Sequence, residues 1–397
     1  MLPAILMPGM DRENWKTRRE ALVELFREQE YGRRPDLPYR VESRLVSSAP
    51  ALEGKAVREM HAVTVSTDRG SVTMELALVL PVGKEKVPVA LLLSNHDREK
   101  LPTSPQDLSI MGQVMQTAPA TWREDTAKIF AELTKNGMPG PNFLDIAADD
   151  HKGYWAVDEI IASGRGAAAF YASQAQIDDR MQFPSGLTAL FVDPEEKRPA
   201  DGWGTLGVWA FAASCMVDVL EKHPGVDAAR ISVGGHSRGG KAALWCAAQD
   251  ERVNAVLVNN SGCSGAALSR GKRGEAVASI NAFFPHWFCP NYASYGWQEE
   301  TMPFDQHMLV AAVAPRLCCV TSGSEDIWSD PDAEWRGALE ASDAWRLFGY
   351  EGLSGSAPAP GETRYDSPIA YHKRAGGHDL TAWDWKNFME FLNRHDG

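Results

Sequence analysis

The stretch that decides the fold is Ile231-Ser232-Val233-Gly234-Gly235-His236-Ser237-Arg238-Gly239-Gly240-Lys241-Ala242-Ala243-Leu244. It passes from a β-branched segment through a glycine pair to a serine, then through two more glycines into a helix-forming segment. This layout is typical of a nucleophile elbow, the sharp strand-to-helix turn that lifts a serine hydroxyl above a sheet. Small neighbours are required because the serine backbone is strained and bulk beside it would clash. Ser237 is therefore a candidate catalytic serine.

The composition predicts a globular protein with a large core. The chain has 397 residues, of which 44% are hydrophobic and 23% charged, and its net charge is −13. Such an acidic chain is a poor partner for nucleic acid, and no apolar run has transmembrane length. Residues 1–10 lack the features of a signal peptide. We therefore expect a cytoplasmic location, with a secreted or periplasmic one as the alternative if a signal was removed; the sequence leaves the oligomeric state open.

The cysteines predict neither a metal site nor a disulfide framework. None of the six forms a C-x-x-C pair, and several lie within apolar runs, where cysteine behaves as a small hydrophobic residue.

Strands alternate with helices along most of the chain, which predicts a mostly parallel sheet sandwiched between helices. We expect one α/β-hydrolase domain over 1–397, with an N-terminal helix and strands in 11–94, a catalytic part at about 165–395, and long loop insertions around the site. The predicted helices are 11–31, 123–135, 155–163, 203–220, 238–249, 332–348 and one from Thr381; the strands are 39–47, 56–66, 71–80, 88–94, 166–171, 229–234, 253–258 and 314–321.

A serine nucleophile needs a histidine base, which follows the serine in the α/β-hydrolase order. His378 lies in Gly376-Gly377-His378-Asp379, immediately before the final helix, where a loop can carry an imidazole back to the elbow. The other downstream histidines are weaker candidates, and we predict that His372 and His395 lie on the surface.

The acid that orients the base should follow the penultimate strand. Glu325, Asp326 and Asp330 are the candidates there. We select Asp326, because Asp330 is better placed to cap the helix at 332. By the same reasoning Asp305-Gln306-His307, which opens an apolar helix, is interpreted as capping and packing.

Two basic residues stand beside the serine. The fold places an oxyanion donor at the backbone N–H of Arg238, and the Arg238 guanidinium could stabilise the oxyanion or hold a carboxylate. Lys241 lies one helical turn after Ser237 and on the same face. In an acidic protein, this pair indicates a polar or uronic ligand. Trp328, two residues after Asp326, is a candidate for stacking on a sugar ring. Trp287 and Phe288 are interpreted as core residues.

These residues resemble the glucuronoyl esterases of carbohydrate esterase family fifteen. The similar motifs are Gly-x-Ser-Arg-Gly-Gly-Lys (235–241), Phe-Pro-His-Trp-Phe (284–288), Pro-Phe-Asp-Gln-His-Met (303–308), Glu-Asp-x-Trp-x-Asp-Pro (325–331) and Gly-Gly-His-Asp (376–379). The resemblance implies hydrolysis of the ester on the carboxyl of 4-O-methyl-glucuronate, a xylan side chain, without a metal or organic cofactor. By position it implies these roles: Ser237 nucleophile, His378 base, Arg238 oxyanion stabiliser, and Lys241, Glu275 and Trp328 sugar contacts.

The chain departs from this family in two places. Many members supply the acid from the strand after the elbow helix, but the segment 259–262 here contains no carboxylate, which leaves the role to Asp326. Some members place a sugar-binding glutamine before His-Trp-Phe, and the segment 281–284 here has none.

Two alternatives to a glucuronoyl esterase stay open. They are a xylan acetyl esterase on the same fold and a non-catalytic carbohydrate-binding α/β domain.

Overall fold

The computed structural model describes residues 1–95, 105–135 and 153–396. Its framework is one ten-stranded sheet with the strand order β1-β2-β3-β5-β4-β6-β7-β8-β10-β9. The strands are β1 Arg40–Ala51, β2 Ala56–Thr67, β3 Gly70–Pro81, β4 Val87–Ser94, β5 Gly166–Tyr171, β6 Val226–His236, β7 Val253–Asn259, β8 Leu317–Gly323, β9 Thr363–Arg364 and β10 Ile369–Arg374.

The centre of the sheet is parallel and its N-terminal part is antiparallel. Neighbouring strands from β5 through β4, β6, β7 and β8 to β10 all run in the same direction. Strand β4 consists almost entirely of apolar side chains and is buried along nearly its whole length, as expected for a strand covered on both faces. The carboxyl ends of these strands share one edge of the sheet, where loops can bring distant residues together.

Helices cover both faces of the sheet. Apolar residues of α1, α7, α8, α10 and α11 form the larger core, and those of α4 and α12 form a second core on the other face. The helices are α1 Trp15–Gln29, α2 Pro105–Thr117, α3 Ala120–Lys135, α4 Val157–Ala162, α5 Ala172–Ala175, α6 Gly186–Phe191, α7 Thr205–Leu220, α8 Arg238–Gln249, α9 Val277–Phe283, α10 Gln306–Ala311, α11 Pro331–Arg346 and α12 Ala382–His395. The predicted α/β sandwich is confirmed, and in the described ranges no helix could cross a membrane.

Several local predictions were wrong. The first helix begins at Trp15, because the Asp11 carboxylate accepts the backbone N–H of Asn14 in a turn that precedes the helix. Between β4 and α4 the sequence predicted one helix, at 123–135, but the described residues contain two, α2 and α3; residues 96–104 and 136–152 fall outside the described residues.

Strand β10 was not among the predicted strands, and it pairs with β8. Its His372 is fully buried, so the prediction of a surface histidine was wrong. Burial in a sheet interior is possible for this imidazole because Tyr365 and Asp384 each bond one ring nitrogen.

Candidate active site

Ser237 occupies the turn between β6 and α8 with φ 56° and ψ −125°. A positive φ is costly for a residue with a side chain and persists only where the surroundings enforce it. Here the Ser237 N–H donates to the Asn259 carbonyl over 2.9 Å. A Cβ atom on Gly235 would lie 2.2 Å from the Gly239 carbonyl oxygen, so the turn requires glycine at that position. The local structure is the predicted elbow.

His378 and Asp326 meet at the same edge of the sheet. Nδ1 of His378, on the loop between β10 and α12, lies 2.6 Å from Oδ2 of Asp326, on the loop after β8. The His378 ring also lies beside that of His236, the residue before Ser237, with 4.4 Å between ring centroids. The His378 side chain is 17% exposed and that of Asp326 5%. The imidazole therefore lies next to the elbow, with the carboxylate buried behind it.

The Asp326 carboxylate is held in its ionised form by its neighbours. Burial by itself raises its pKa, but the charge and hydrogen bond of His378, together with Asn260 and Ser329, bring the pKa well below its ordinary value. Nδ2 of Asn260 donates to Oδ2 over 2.6 Å, and the Ser329 N–H faces Oδ1 at 3.3 Å. Asn260 was not predicted as a site residue, because the segment 259–262 contains no carboxylate and an amide there carries no catalytic signal of its own.

The two rival carboxylates lie elsewhere. Glu325 is exposed. Asp330 is the N-cap of α11, where its side chain accepts the backbone N–H of Ala333 over 3.1 Å, as its position before the helix predicts. Of the three candidates, Asp326 is the one that the structure brings to His378.

The other downstream histidines have partners other than the Asp326 carboxylate. Asp305 caps α10 and pairs with Arg270, which supports the interpretation of the segment 305–307 as capping and packing. The histidine partners are Asp178 for His286, the Pro3 carbonyl for His307, Asp384 for His372 and the Tyr365 carbonyl for His395.

The Arg238 guanidinium is ion-paired with Asp178 and lies over the Trp287 ring at 4.9 Å. Asp178 also accepts bonds from Nε2 of His286 over 2.9 Å and Nε1 of Trp287 over 2.6 Å. Burial raises the pKa of Asp178, but Arg238 and these partners lower it well below its ordinary value. The carboxylate thus fixes the direction of the guanidinium. Asp178 follows β5 in no recognisable motif, and no signal in the sequence singled it out.

Lys241 is almost completely buried, and its Nζ donates to the Ser261 carbonyl over 2.5 Å. Burial lowers its pKa, against the opposing charge of Glu275. The N–H of Glu275 in turn donates to the Trp328 carbonyl over 3.0 Å. The Trp328 ring stacks on Phe130 of α3, with 5.7 Å between centroids. The backbone of Glu275 is therefore bonded to Trp328, its charge acts on Lys241, and α3 packs against Trp328.

Glu59, His61 and His223 are the group of described residues whose spacing could suit a metal ion, with ligand atoms within 4.8 Å of one another. Both Nε2 atoms face Oε2 of Glu59, at 2.9 and 3.0 Å. The Gly225 N–H donates to Nδ1 of His223 over 3.1 Å, so the neutral ring carries its proton on Nε2 and donates it to Glu59. The group is thus a satisfied hydrogen-bond network. Its Glu59 and His61 lie on β2, and three strands separate β2 from β6, the strand that leads to Ser237.

A parallel sheet, an elbow serine with positive φ, and a histidine–carboxylate pair on the loops at the same sheet edge define a class. This class is the serine hydrolases of the α/β-hydrolase fold. The two cations beside the elbow distinguish the chain within it.

Comparison with known proteins identifies the family. Residues 198–349 match the family described as glucuronyl esterase, fungi. A carbohydrate esterase of an unknown prokaryotic organism is 35% identical over 401 residues, which cover 99% of this chain and 88% of that protein. A 4-O-methyl-glucuronoyl methylesterase of Hypocrea jecorina is 33% identical over 156 residues, or 37% of this chain and 34% of that protein.

The fold of this chain also matches solved structures of esterases along its full length. A glucuronoyl esterase from Solibacter usitatus has 34% identity and a TM-score of 0.82, and the match covers 100% of this chain and 98% of that one. A promiscuous CE15 esterase from a marine bacterial metagenome has 34% identity and a TM-score of 0.80, with coverage of 100% and 97%. The chain belongs to carbohydrate esterase family 15, the glucuronoyl esterases, and is a carboxylic ester hydrolase.

Proposed function

We propose that this esterase hydrolyses the ester on the carboxyl group of glucuronic acid or 4-O-methyl-glucuronic acid, as found in glucuronoxylan and its oligosaccharides. Ser237 is the nucleophile, His378 the base and Asp326 the acid that orients it. His378 takes the Ser237 proton as the hydroxyl attacks the carbonyl carbon, and returns it to the departing alcohol. Water, deprotonated by His378, then hydrolyses the acyl-enzyme.

The observation that carries this proposal is the 2.6 Å contact between Asp326 and Nδ1 of His378 beside the elbow. A carboxylate on Nδ1 selects the tautomer with its proton there, and Nε2 is then the nitrogen that can accept the serine proton. Backbone N–H groups of the elbow, together with the Arg238 side chain, are the proposed donors to the oxyanion.

The cations beside the serine support a uronate ester over a neutral acyl group. Arg238 lies on the exposed side of the Asp178 pair, with 26% of its side chain accessible. Buried Lys241 has two further N–H donors beyond the one given to Ser261, and Glu275 can accept from a sugar hydroxyl. Trp328, whose backbone is bonded to Glu275, is the proposed aromatic contact for the pyranose. The curated relatives include several 4-O-methyl-glucuronoyl methylesterases, which points to the same acid.

The test is a panel of esters that varies one half of the molecule at a time. Benzyl and methyl esters of glucuronate and galacturonate vary the acid and the alcohol, and acetylated xylan represents the acetyl esterase alternative. We expect the glucuronate esters to be hydrolysed fastest by the wild type and not at all by Ser237→Ala. Faster release of acetate from xylan than of alcohol from any uronate would overturn the substrate assignment.

Retained turnover in Ser237→Ala would overturn the nucleophile itself. Covalent labelling by a fluorophosphonate probe, located by peptide mass spectrometry, provides a reading that is independent of substrate. We expect the label on Ser237 in the wild type. Absence of labelling together with tight binding of aldouronic acids would instead indicate a carbohydrate-binding domain without catalysis.

A further inference from the structure

The side chain of Arg374 donates hydrogen bonds to the backbone of the loop that carries His378. Arg374 is the last residue of β10 and only 8% exposed. Its Nη2 donates to the carbonyls of Gly377 over 2.6 Å and Asp379 over 3.1 Å, the residues on either side of His378. Its Nη1 donates to the Ala375 carbonyl over 2.9 Å. One planar guanidinium therefore holds the backbone before and after the imidazole.

Arg374 is itself ion-paired with a buried carboxylate. Its Nε lies 3.0 Å from Oδ2 of Asp384, which is fully buried. Asp384 also accepts the backbone N–H and the hydroxyl of Thr381, the N-cap of α12, over 2.9 Å each. Its Oδ1 is hydrogen-bonded to Nε2 of His372. Burial raises the pKa of Asp384, but His372, Arg374 and Thr381 lower it below its ordinary value. The guanidinium thus has an ionised partner on the side away from the loop.

The opposite side of the loop is joined to the loop that carries Asp326. The N–H of Ser324 donates to the Arg374 carbonyl over 2.8 Å, and that of Glu325 to the Gly376 carbonyl over 2.9 Å. Gly323 completes this junction, because a Cβ there would lie 2.2 Å from the Gly377 carbonyl oxygen. These bonds set the two loops at one spacing, but they leave the segment 377–379 to be held by Arg374.

We propose that Arg374, anchored by Asp384, is a positioning residue for His378: it holds the base at the distance and angle that both Asp326 and Ser237 require. The proposal rests on the function proposed above for His378. Arg374 acts through backbone carbonyls, and it touches neither the proposed substrate nor the reacting atoms. A displacement of about 1 Å in a catalytic group can cost roughly 100-fold in rate, so a loop that contains two glycines needs such a support.

The experiment compares Arg374→Ala with Arg316→Ala. Arg316 also donates to three backbone carbonyls, those of Ala247, Asp250 and Val253, but it precedes β8 and therefore lies at the opposite edge of the sheet. On benzyl glucuronate we expect kcat to fall roughly 100-fold in Arg374→Ala with KM changed less than about twofold. Arg316→Ala should lose thermal stability to a similar degree and keep its kcat.

Two further measurements distinguish a positioning role of Arg374 from a general loss of structure. Guanidinium ions added to Arg374→Ala should restore part of kcat, and should not change Arg316→Ala. In proton NMR, the His378 Nδ1 proton bonded to Asp326 should give a strongly downfield signal in the wild type that is lost in Asp326→Asn and weakened in Arg374→Ala. If Arg374→Ala does not fold, Arg374→Lys serves: an ammonium has its donors on one nitrogen and lacks the planar fork that reaches these carbonyls from Nη1 and Nη2. We expect about a tenfold loss of kcat without a change in KM.

The proposal is overturned if Arg374→Ala, or Arg374→Lys where only that variant folds, keeps kcat within threefold of Arg316→Ala, or if its downfield signal is unchanged. Failure of the proposed function would look different, because the wild type would not hydrolyse the ester or Ser237→Ala would retain turnover. The NMR signal reports the loop geometry in either case, since it needs no substrate.

Discussion

The side-chain amide of Asn260 donates a 2.6 Å hydrogen bond to Oδ2 of Asp326. The same oxygen faces Nδ1 of His378. Asn260 follows β7, the strand after the elbow helix. That segment contains no carboxylate and supplies a donor to the carboxylate on the loop after β8. The two positions therefore form one hydrogen-bonded unit.

We predict that Asp326→Asn lowers kcat on a glucuronate ester by about 10⁴-fold, because an amide no longer selects the right imidazole tautomer. Glu325→Gln and Asp330→Asn are the matched controls on the same loop. The first should be close to wild type. The second should lower the melting temperature through loss of the α11 cap, with kcat kept. A larger kcat effect in either control than in Asp326→Asn would move the acid to that residue.

The double variant Asn260→Asp/Asp326→Asn exchanges amide and carboxylate across this hydrogen bond. We expect it to recover at least tenfold in kcat over Asp326→Asn, because the negative charge returns to the neighbourhood of His378. Single-variant Asn260→Asp places two carboxylates in contact and should raise the pH at which activity appears. No recovery in the double variant, measured by steady-state kinetics, would mean that Asn260 does not reach the imidazole.

Asp178→Asn should release Arg238 from its fixed direction. The new amide can still accept from His286 or Trp287, but it carries no charge to face the guanidinium. If Arg238 donates to the oxyanion, we expect kcat to fall roughly 100-fold. Asp179→Asn is the control, since its carboxylate bonds the Met181 N–H in an exposed turn. An unchanged kcat with a lowered melting temperature would show that Asp178 contributes to stability alone.

Because Glu334 is a buried carboxyl, we expect the free energy of unfolding to depend on pH. Burial raises the pKa of this carboxyl to about 7 from an ordinary value of 4.5, although Ser322, Gly262 and Ser261 bond it. The folded state thus binds the proton more tightly than the unfolded chain, so the free energy of unfolding falls as pH rises from about 4.5 through 7.

Glu334→Gln should remove this loss. Relative to the wild type, the variant should gain up to about 3 kcal/mol between pH 5 and 8, measured by denaturant unfolding at both values. Glu340→Gln, on the exposed side of the same helix, should show no such gain. A wild type and a Glu334→Gln variant with equal pH dependence would contradict a raised pKa.

Much of the site could be predicted because its parts are local. The glycines that flank Ser237 follow from the steric demand of one turn, and the placement of His378 follows from two glycines before a final helix. The capping role of Asp330 is equally local. Strand β10 could not be predicted as a strand, because its buried His372 depends on Tyr365 and Asp384, and no apolar pattern reveals partners of that kind.

The sequence by itself determined the alternation of strands and helices, the elbow at Ser237 and the chain order of serine, acid and histidine, since each depends on steric or periodic features within a few residues. Only the tertiary structure decided that Asp326 is the carboxylate that meets His378, that Asn260 supports it, and that Asp178 holds Arg238. These contacts join residues 52 to 66 positions apart in the chain. They exist because parallel strands bring their carboxyl ends to one edge, and the strand order that does so is set by packing of the whole sheet.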